Sequence, residues 1–309
     1  MNEAPVSHPG NDDLVQPFQI EASRLRGRLV KLGASLDDIL TRHAYPEPVA
    51  QFLAETVTLA VALASMLKYE GVFTLQTKGD GPIRLVVADV TSVGDVRGYA
   101  QFDEEAVKAA ADDIAIAPAP ALLGKGHIAF TVDQGGDTDR YQGIVALYGK
   151  TLADCVQHYF RQSEQIETGL TVHAGRVDGH WRAGALMLQR LPPDPGTRLS
   201  SDHEDDWRRA MALMASTTAG ELLDLRLAAS DLLFRLFHED GVRVWAPNHL
   251  RFGCRCSRER VVGMLAGLPR AEVESLRVAD GSVEVVCQFC STAYHFRDAD
   301  LDRVYGTGT

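Results

Sequence analysis

Four of the five cysteines in this 309-residue chain fall in two tight pairs near its C-terminal end, Cys254-Arg255-Cys256 and Cys287-Gln288-Phe289-Cys290. Thiols one or two residues apart in a loop or hairpin can point at a common centre, and two such pairs supply the four sulfurs of a tetrahedral zinc site. A disulfide framework is the competing reading. The two are compatible, because thiols that bind zinc when reduced can pair when oxidised, which would make the segment a redox switch. The segment carrying both pairs, residues 241–309, is too small to rest comfortably on its own core. Metal binding supplies the missing constraint, at roughly 10 to 16 kcal/mol for a structural zinc site. Residues 283–286 and 293–296 read as two strands joined by a knuckle that turns Cys287 and Cys290 toward the metal. Ser257 reads as the cap of a helix over 258–265. Arg255, Arg258 and Arg260 either stabilise the neighbouring thiolates or form a solvated, charge-balancing face.

The rest of the chain bounds the function by exclusion. A net charge of −11 and a pI near 5.4 argue against broad nucleic-acid or anionic-membrane binding, since both ordinarily need a basic surface. The first residues are polar and acidic, with Pro5, Pro9 and Gly10, and lack the basic and apolar regions of a signal peptide. Without an export signal the cysteines meet a reducing cytoplasm, where metal ligation is favoured over structural disulfides. The longest strongly apolar run, residues 57–67, is too short for a bilayer span and predicts a buried helix. No membrane or nucleic-acid partner is expected.

Along the chain, residues 19–32 are compatible with a strand, and Ser35 caps a helix that Tyr45-Pro46-Glu47-Pro48 interrupts. A second helix over 49–68 is apolar enough for burial on more than one side. Strands follow at 72–77, 83–90 and 96–101, then at 127–132 and 141–147 around the turn 133–137. A helix over 152–165 precedes a further pair at 169–173 and 183–189. Strands with helices clustered in two places predict an α+β fold rather than a βαβ succession. Pro192-Pro193-Asp194-Pro195-Gly196 marks a boundary, and the acidic 201–206 starts a helical stretch running to Phe237. The expected organisation is therefore a disordered tail (1–18), an N-terminal core domain of mixed strands and helices (19–192), a helical linker (193–240) and a small C-terminal zinc-binding domain (241–309).

The sequence resembles the redox-regulated 33-kilodalton heat-shock chaperone family. The resemblance rests first on Phe252-Gly253-Cys254-Arg255-Cys256-Ser257-Arg258-Glu259-Arg260 and on Cys287-Gln288-Phe289-Cys290-Ser291-Thr292-Ala293-Tyr294-His295-Phe296. Upstream, Gly124-Lys125-Gly126, Arg140-Tyr141-Gln142-Gly143 and Tyr159-Phe160-Arg161-Gln162-Ser163-Glu164-Gln165 are similar to stretches of that family, so the likeness spans about 13–305. It implies an ATP-independent holdase, not an enzyme, that binds unfolding client proteins and is inactive while reduced. In that state Cys254, Cys256, Cys287 and Cys290 hold one zinc ion per chain. It further implies that oxidants join Cys254 to Cys256 and Cys287 to Cys290, release zinc, unfold the switch with its adjacent linker, and yield an active homodimer. Four cysteines formally permit three connectivities. The Met- and Leu-bearing linker helices are a client-binding candidate, because flexible apolar side chains adapt to varied partners. Their ordinary reading is helix packing.

Other features read more plainly. Cys155 and His158 share a helix, yet no oxyanion-hole or third-member signal accompanies them, so Cys155 reads as a buried small residue. Gly79-Asp80-Gly81-Pro82 and Gly124-Lys125-Gly126 lack the phosphate-loop pattern and read as turns. His295 reads as structural beside four thiolates that already complete a tetrahedron. Two alternative functions stay open at the level of sequence. A zinc-ribbon nucleic-acid binder is opposed by the acidic charge. A thiol-disulfide oxidoreductase using Cys287 and Cys290 lacks a thioredoxin-like βαβ setting.

Overall fold

A helix that is apolar on every side has to be enclosed, and the chain encloses Glu47–Ala64 (α2, after Ala34–Thr41, α1) between two sheets. The computed structural model describes residues 11–135, 141–191 and 201–306, apart from the side chains of 201–203. The expected boundary at 192–196, the far side of the 133–137 turn and most of the expected tail lie outside the described residues. The length and mean hydropathy of α2, 1.2, would suit a bilayer span, yet 78% of it is buried inside the protein. Thr56 and Thr58 fit this apolar setting because each hydroxyl donates to a carbonyl four residues back, Phe52 O and Ala54 O, at 2.7 Å.

The first sheet runs β10-β1-β2-β9-β8, with β11 also on β1. Its strands are Leu14–Ile20 (β1), Leu25–Leu32 (β2), Thr168–Val177 (β8), His180–Arg190 (β9), Val242–Val244 (β10) and Asn248–His249 (β11). The second runs β12-β5-β4-β3-β6-β7. It is built from Val72–Gly79 (β3), Ile83–Thr91 (β4), Asp95–Phe102 (β5), Gly126–Asp133 (β6), Tyr141–Ala146 (β7) and Arg251–Phe252 (β12). Three short helices, Glu104–Ala109 (α3), Ala111–Ile116 (α4) and Pro118–Leu123 (α5), link β5 to β6. Leu152–Tyr159 (α6) follows β7. The two glycine turns of the sequence interlock here: Gly81 N donates to Leu123 O at 2.9 Å and Lys125 N to Asp80 Oδ1 at 2.7 Å.

Strand alternation feeds two cores. On β9, Ala185 and Met187 join the core around α2, while Leu186 and Leu188 face the opposite side. That opposite face is covered by Ser201–Ala215 (α7), Ala219–Leu223 (α8) and Ala229–Phe237 (α9). Phe18 stacks on Phe237 with ring centroids 5.9 Å apart. Met211 sits on the bare Cα of Gly169, where a Cβ would come within 2.3 Å of its sulfur. The fully buried Lys31 sends its ammonium to the carbonyls of Asp224 and Leu227, between α8 and α9.

Four expectations change. Ser35 is not a cap: α1 begins at Ala34 with Gly33 at its N-cap, and Ser35 is held by Asp13 instead. Residues 19–32 are not one strand but the end of β1 and all of β2, joined by a turn in which Arg24 takes φ +56°. The expected tail over 1–18 gives way to strand at Leu14, since Leu14 and Val15 are 3% and 2% exposed. Pro17 masked that strand, and it is tolerated where the pairings of β10 and β11 with β1 leave a gap. Finally, residues 242–252 do not belong with the cysteine segment. Their strands pair with β1 and β5, and the chain divides into Met1–Phe252 and Gly253–Thr309. The helices expected as a separate linker fall in the first of these units.

The second unit contains Arg258–Ala266 (α10), Arg270–Glu274 (α11), Val283–Val286 (β13), Ala293–Phe296 (β14) and Asp298–Tyr305 (α12). Its core is small: Leu265, Val273, Val283, Phe296 and Leu301 are fully buried.

Candidate metal centre

The β13–β14 hairpin pairs Val286 with Ala293, and the residues between them form the knuckle. Cys287 N donates to Thr292 O and Ser291 N to Cys287 O, each at 2.9 Å. Ser291 takes φ +55°, which tightens the loop and brings Cys290 back alongside Cys287. Facing the knuckle, Cys254 and Cys256 lie just before α10, whose cap is Ser257: its hydroxyl accepts from Arg260 N at 3.3 Å.

The four ligand sulfurs all lie within 4.8 Å of one another. Two close approaches cross between the loops, 3.7 Å from Cys254 Sγ to Cys287 Sγ and 3.4 Å from Cys256 Sγ to Cys290 Sγ. A zinc–sulfur bond of about 2.3 Å gives a tetrahedral edge near 3.8 Å, whereas a disulfide needs about 2.05 Å. The spacing therefore fits four sulfurs around one ion, and all five cysteines are free. Hydrogen bonds complete the surroundings. Tyr294 donates its hydroxyl to Cys256 Sγ at 3.1 Å, and Thr292 Oγ1 stands 3.2 Å from Cys290 Sγ.

The thiols differ in acidity. Burial pushes Cys256 up to about 12, helped by the adjacent thiols and opposed by Tyr294. Burial also raises Cys287. Cys290 feels the same burial but is pulled down to about 6, because Thr292, through side chain and backbone, and the thiols of Cys256 and Cys254 favour its anion. The anion is favoured at Cys290 and opposed at Cys256 and Cys287, as expected where thiols crowd one another. A divalent ion would offset that mutual repulsion.

The other predicted residues settle elsewhere. Arg258 lies over the Phe296 ring at 4.4 Å, donates to His295 O at 2.9 Å and pairs with Asp300 at 3.1 Å. Arg260 donates to Arg255 O at 2.8 Å. These two arginines brace the second unit. His295 turns to Ser282 and Glu284, at 3.3 and 3.4 Å, away from the sulfurs. Cys155 is in the first unit, 1% exposed, with its thiol donating to Tyr148 O at 2.8 Å. His158 stacks on Tyr148 at 4.1 Å. Sequence reasoning gave no role to Thr292 and Tyr294, and the signal was their place at the start of the strand that leaves the knuckle.

A family profile described as Hsp33 protein matches residues 13–297. The chain belongs to the Hsp33 family. It is 42% identical over 287 residues to the 33 kDa chaperonin of Caulobacter vibrioides, covering 92% of this chain and 94% of that protein. The 33 kDa chaperonin of Ectopseudomonas mendocina is 38% identical, with 96% and 97% covered. A crystal structure of the 33 kDa chaperonin of Thermotoga maritima matches with a TM-score of 0.75 at 23% identity, covering 94% of this chain and 97% of that one. That likeness carries the α+β fold. Membership in the Hsp33 family carries a chaperone function, and the matched relatives are named as chaperonins rather than enzymes.

Proposed function

We propose that this protein is a redox-regulated, ATP-independent holdase that captures unfolding proteins under oxidative stress. In the resting state Cys254, Cys256, Cys287 and Cys290 hold one zinc ion, which would tie the knuckle to the segment before α10. The single observation that carries the reading is four sulfurs within 4.8 Å in a chaperone-family chain whose second unit has only a small core.

Activation in this reading is a two-step oxidation. A thiolate attacks peroxide, giving a sulfenic acid and releasing hydroxide; a second thiolate then displaces the sulfenic oxygen as hydroxide, forming the S–S bond. In the fold, sulfurs also approach closely across the loops, in pairs 33 and 34 residues apart along the chain. Once the fold loosens, only Cys254 with Cys256 and Cys287 with Cys290 keep a high effective concentration, which supports pairing between neighbours. Loss of metal and loss of fold are then the same event. The exposed apolar surface takes up clients, and the activated form is a homodimer working in a reducing compartment such as the cytoplasm. Cys287 and Cys290 sit in a hairpin knuckle rather than a βαβ unit, which weighs against the oxidoreductase alternative.

Reduced protein should carry one zinc per chain, and Cys287→Ser with Cys290→Ser should carry none. Peroxide should release the zinc and switch on suppression of client aggregation without ATP. Undiminished zinc in the double variant would remove the site, and aggregation suppressed equally before and after peroxide would remove the switch.

A further inference from the structure

Two of the stretches that carried the family resemblance remain without a role in the cysteine chemistry, and they meet in the first unit. Tyr141 and Tyr159, with Phe160 and Glu164, wall one side of a cavity of about 430 Å3. The helix α6 ends at Tyr159, and Phe160–Glu164 continues as a single wider π-turn. Such turns cluster at functional sites because the extra residue redirects side chains, here Phe160 and Glu164 toward the cavity. Tyr159 donates its hydroxyl to Glu164 Oε1 at 2.6 Å, and Tyr141 donates to the same oxygen at 3.1 Å. Gly143 permits this approach, since a Cβ there would lie 2.7 Å from the Tyr159 oxygen. The network fixes both phenol rings and commits the Glu164 carboxylate.

The remaining lining is mainly apolar, with Arg26, Lys68, Gln134 and Gln189 as its polar members beside the Tyr69 ring. Phe73 and Phe130, 2% and 6% exposed, come from β3 and β6. The polar end is Arg26 on β2 with Gln189 on β9. Arg26 Nη2 donates to Gln189 Oε1 at 3.1 Å, and Gln189, 1% exposed, donates onward to Thr168 Oγ1 at 3.2 Å. The Arg26 guanidinium lines the cavity with the neutral Gln189 amide as its partner among the described residues, and the acceptor that matches a guanidinium best is a carboxylate. Lys68 on the rim adds positive charge. The volume falls within the range of small-molecule sites, roughly 300 to 1,000 Å3.

We propose that this cavity binds one amphipathic carboxylate, its apolar body between Phe73, Phe130 and Tyr159 and its carboxylate on Arg26. The ligand is either a free aryl or acyl acid or the C-terminus of a polypeptide ending in an apolar residue. The inference rests on the first unit alone and is independent of the zinc reading.

Titration calorimetry on the reduced full chain tests it with 2-naphthoate, dodecanoate, neutral 2-naphthamide, and Gly-Gly-Phe with a free or an amidated C-terminus. At least one free carboxylate should bind with a Kd below about 1 mM and outbind its amide by about tenfold. Arg26→Met should erase that preference. Arg28→Met should leave it, because that guanidinium is tied to Ser65 O and Gly27 O. Leu67→Trp, at a rim position that is 46% exposed, should weaken acid and amide alike. Tighter binding of Gly-Gly-Phe than of the free acids assigns the site to chain termini, and the reverse assigns it to small acids. Absence of binding by every carboxylate overturns the proposal, as does acid binding unchanged by Arg26→Met. Should Arg26→Met not fold, acid binding unchanged by Leu67→Trp overturns it.

Discussion

At the scale of single residues, two kinds of cysteine separate cleanly. Cys155 is enclosed by α6 and the Tyr148 backbone, with Tyr148 N donating to its sulfur at 3.2 Å and its thiol donating back to Tyr148 O. Burial raises its pKa, so it is a poor thiolate. Cys155→Ser should therefore keep zinc and oxidant-dependent activation while lowering stability by about 1 to 2 kcal/mol, measured by metal analysis and urea melts. Loss of zinc with the fold intact would mean the ligands are misassigned. The four clustered cysteines were legible because their geometry is local: one- and two-residue spacings leave few ways to place the sulfurs. Thr292 and Tyr294 were not legible in the same way. Their contacts with sulfur depend on the register Val286 to Ala293, which spacing alone does not reveal. Arg258 and Arg260 were read as thiolate neighbours or solvent-facing charge, but a guanidinium reaches far, and Phe296, Asp300 and the Arg255 carbonyl hold them elsewhere.

At the scale of elements, periodicity gave what was strongly patterned and missed what was paired at a distance. The all-round apolar character of α2 foretold its enclosure. The short strands β10, β11 and β12 carry two or three residues each, too few for any pattern, and only their partners β1 and β5 define them. Enclosure of α2 has a consequence for pH. Glu55 lies on this helix, and burial pushes its carboxyl up to about 7, against an opposing hydrogen bond from Gln51. The folded pKa exceeds the ordinary 4.5, so folding favours the protonated form. The stabilisation is complete below about pH 4.5, declines as pH rises to about 7, and is then absent. Glu55→Gln should remove this dependence. Its melting temperature should gain on the parent between those pH values and then hold a constant lead, worth on the order of 2 kcal/mol after allowance for partial solvent screening of this mostly buried residue. Parallel melting curves for the two proteins across that range would contradict the assignment.

At the scale of the whole molecule, the two units differ in what sustains them. The first has a core around α2 and a second core beneath α7, α8 and α9; the second unit has five fully buried residues among those described. Removing metal should therefore unfold Gly253–Thr309 while the sheets of the first unit persist. Sequence carries the effect further. Only Gly253 separates Cys254 from β12, and the short strands between it and α9 have few hydrogen bonds to resist fraying. Loosening of α9 would strip cover from Phe18, Leu29, Leu186 and Leu188, an apolar sheet face suited to unfolded chains. Lys31, bonded to the α8–α9 connection, and Arg190, paired with Glu204 of α7 at 2.8 Å, oppose that release. Hydrogen exchange before and after peroxide should show rapid exchange in 253–305 and increased exchange in α7 to α9. The amides of β2 and β9, bonded on both sides within the sheet, should stay slow. Aggregation suppressed by oxidised protein whose second unit and helices both remain protected, with zinc retained, would leave a chaperone but refute the unfolding switch. Exchange rising in β2 and β9 to the same extent would instead refute the independence of the two units.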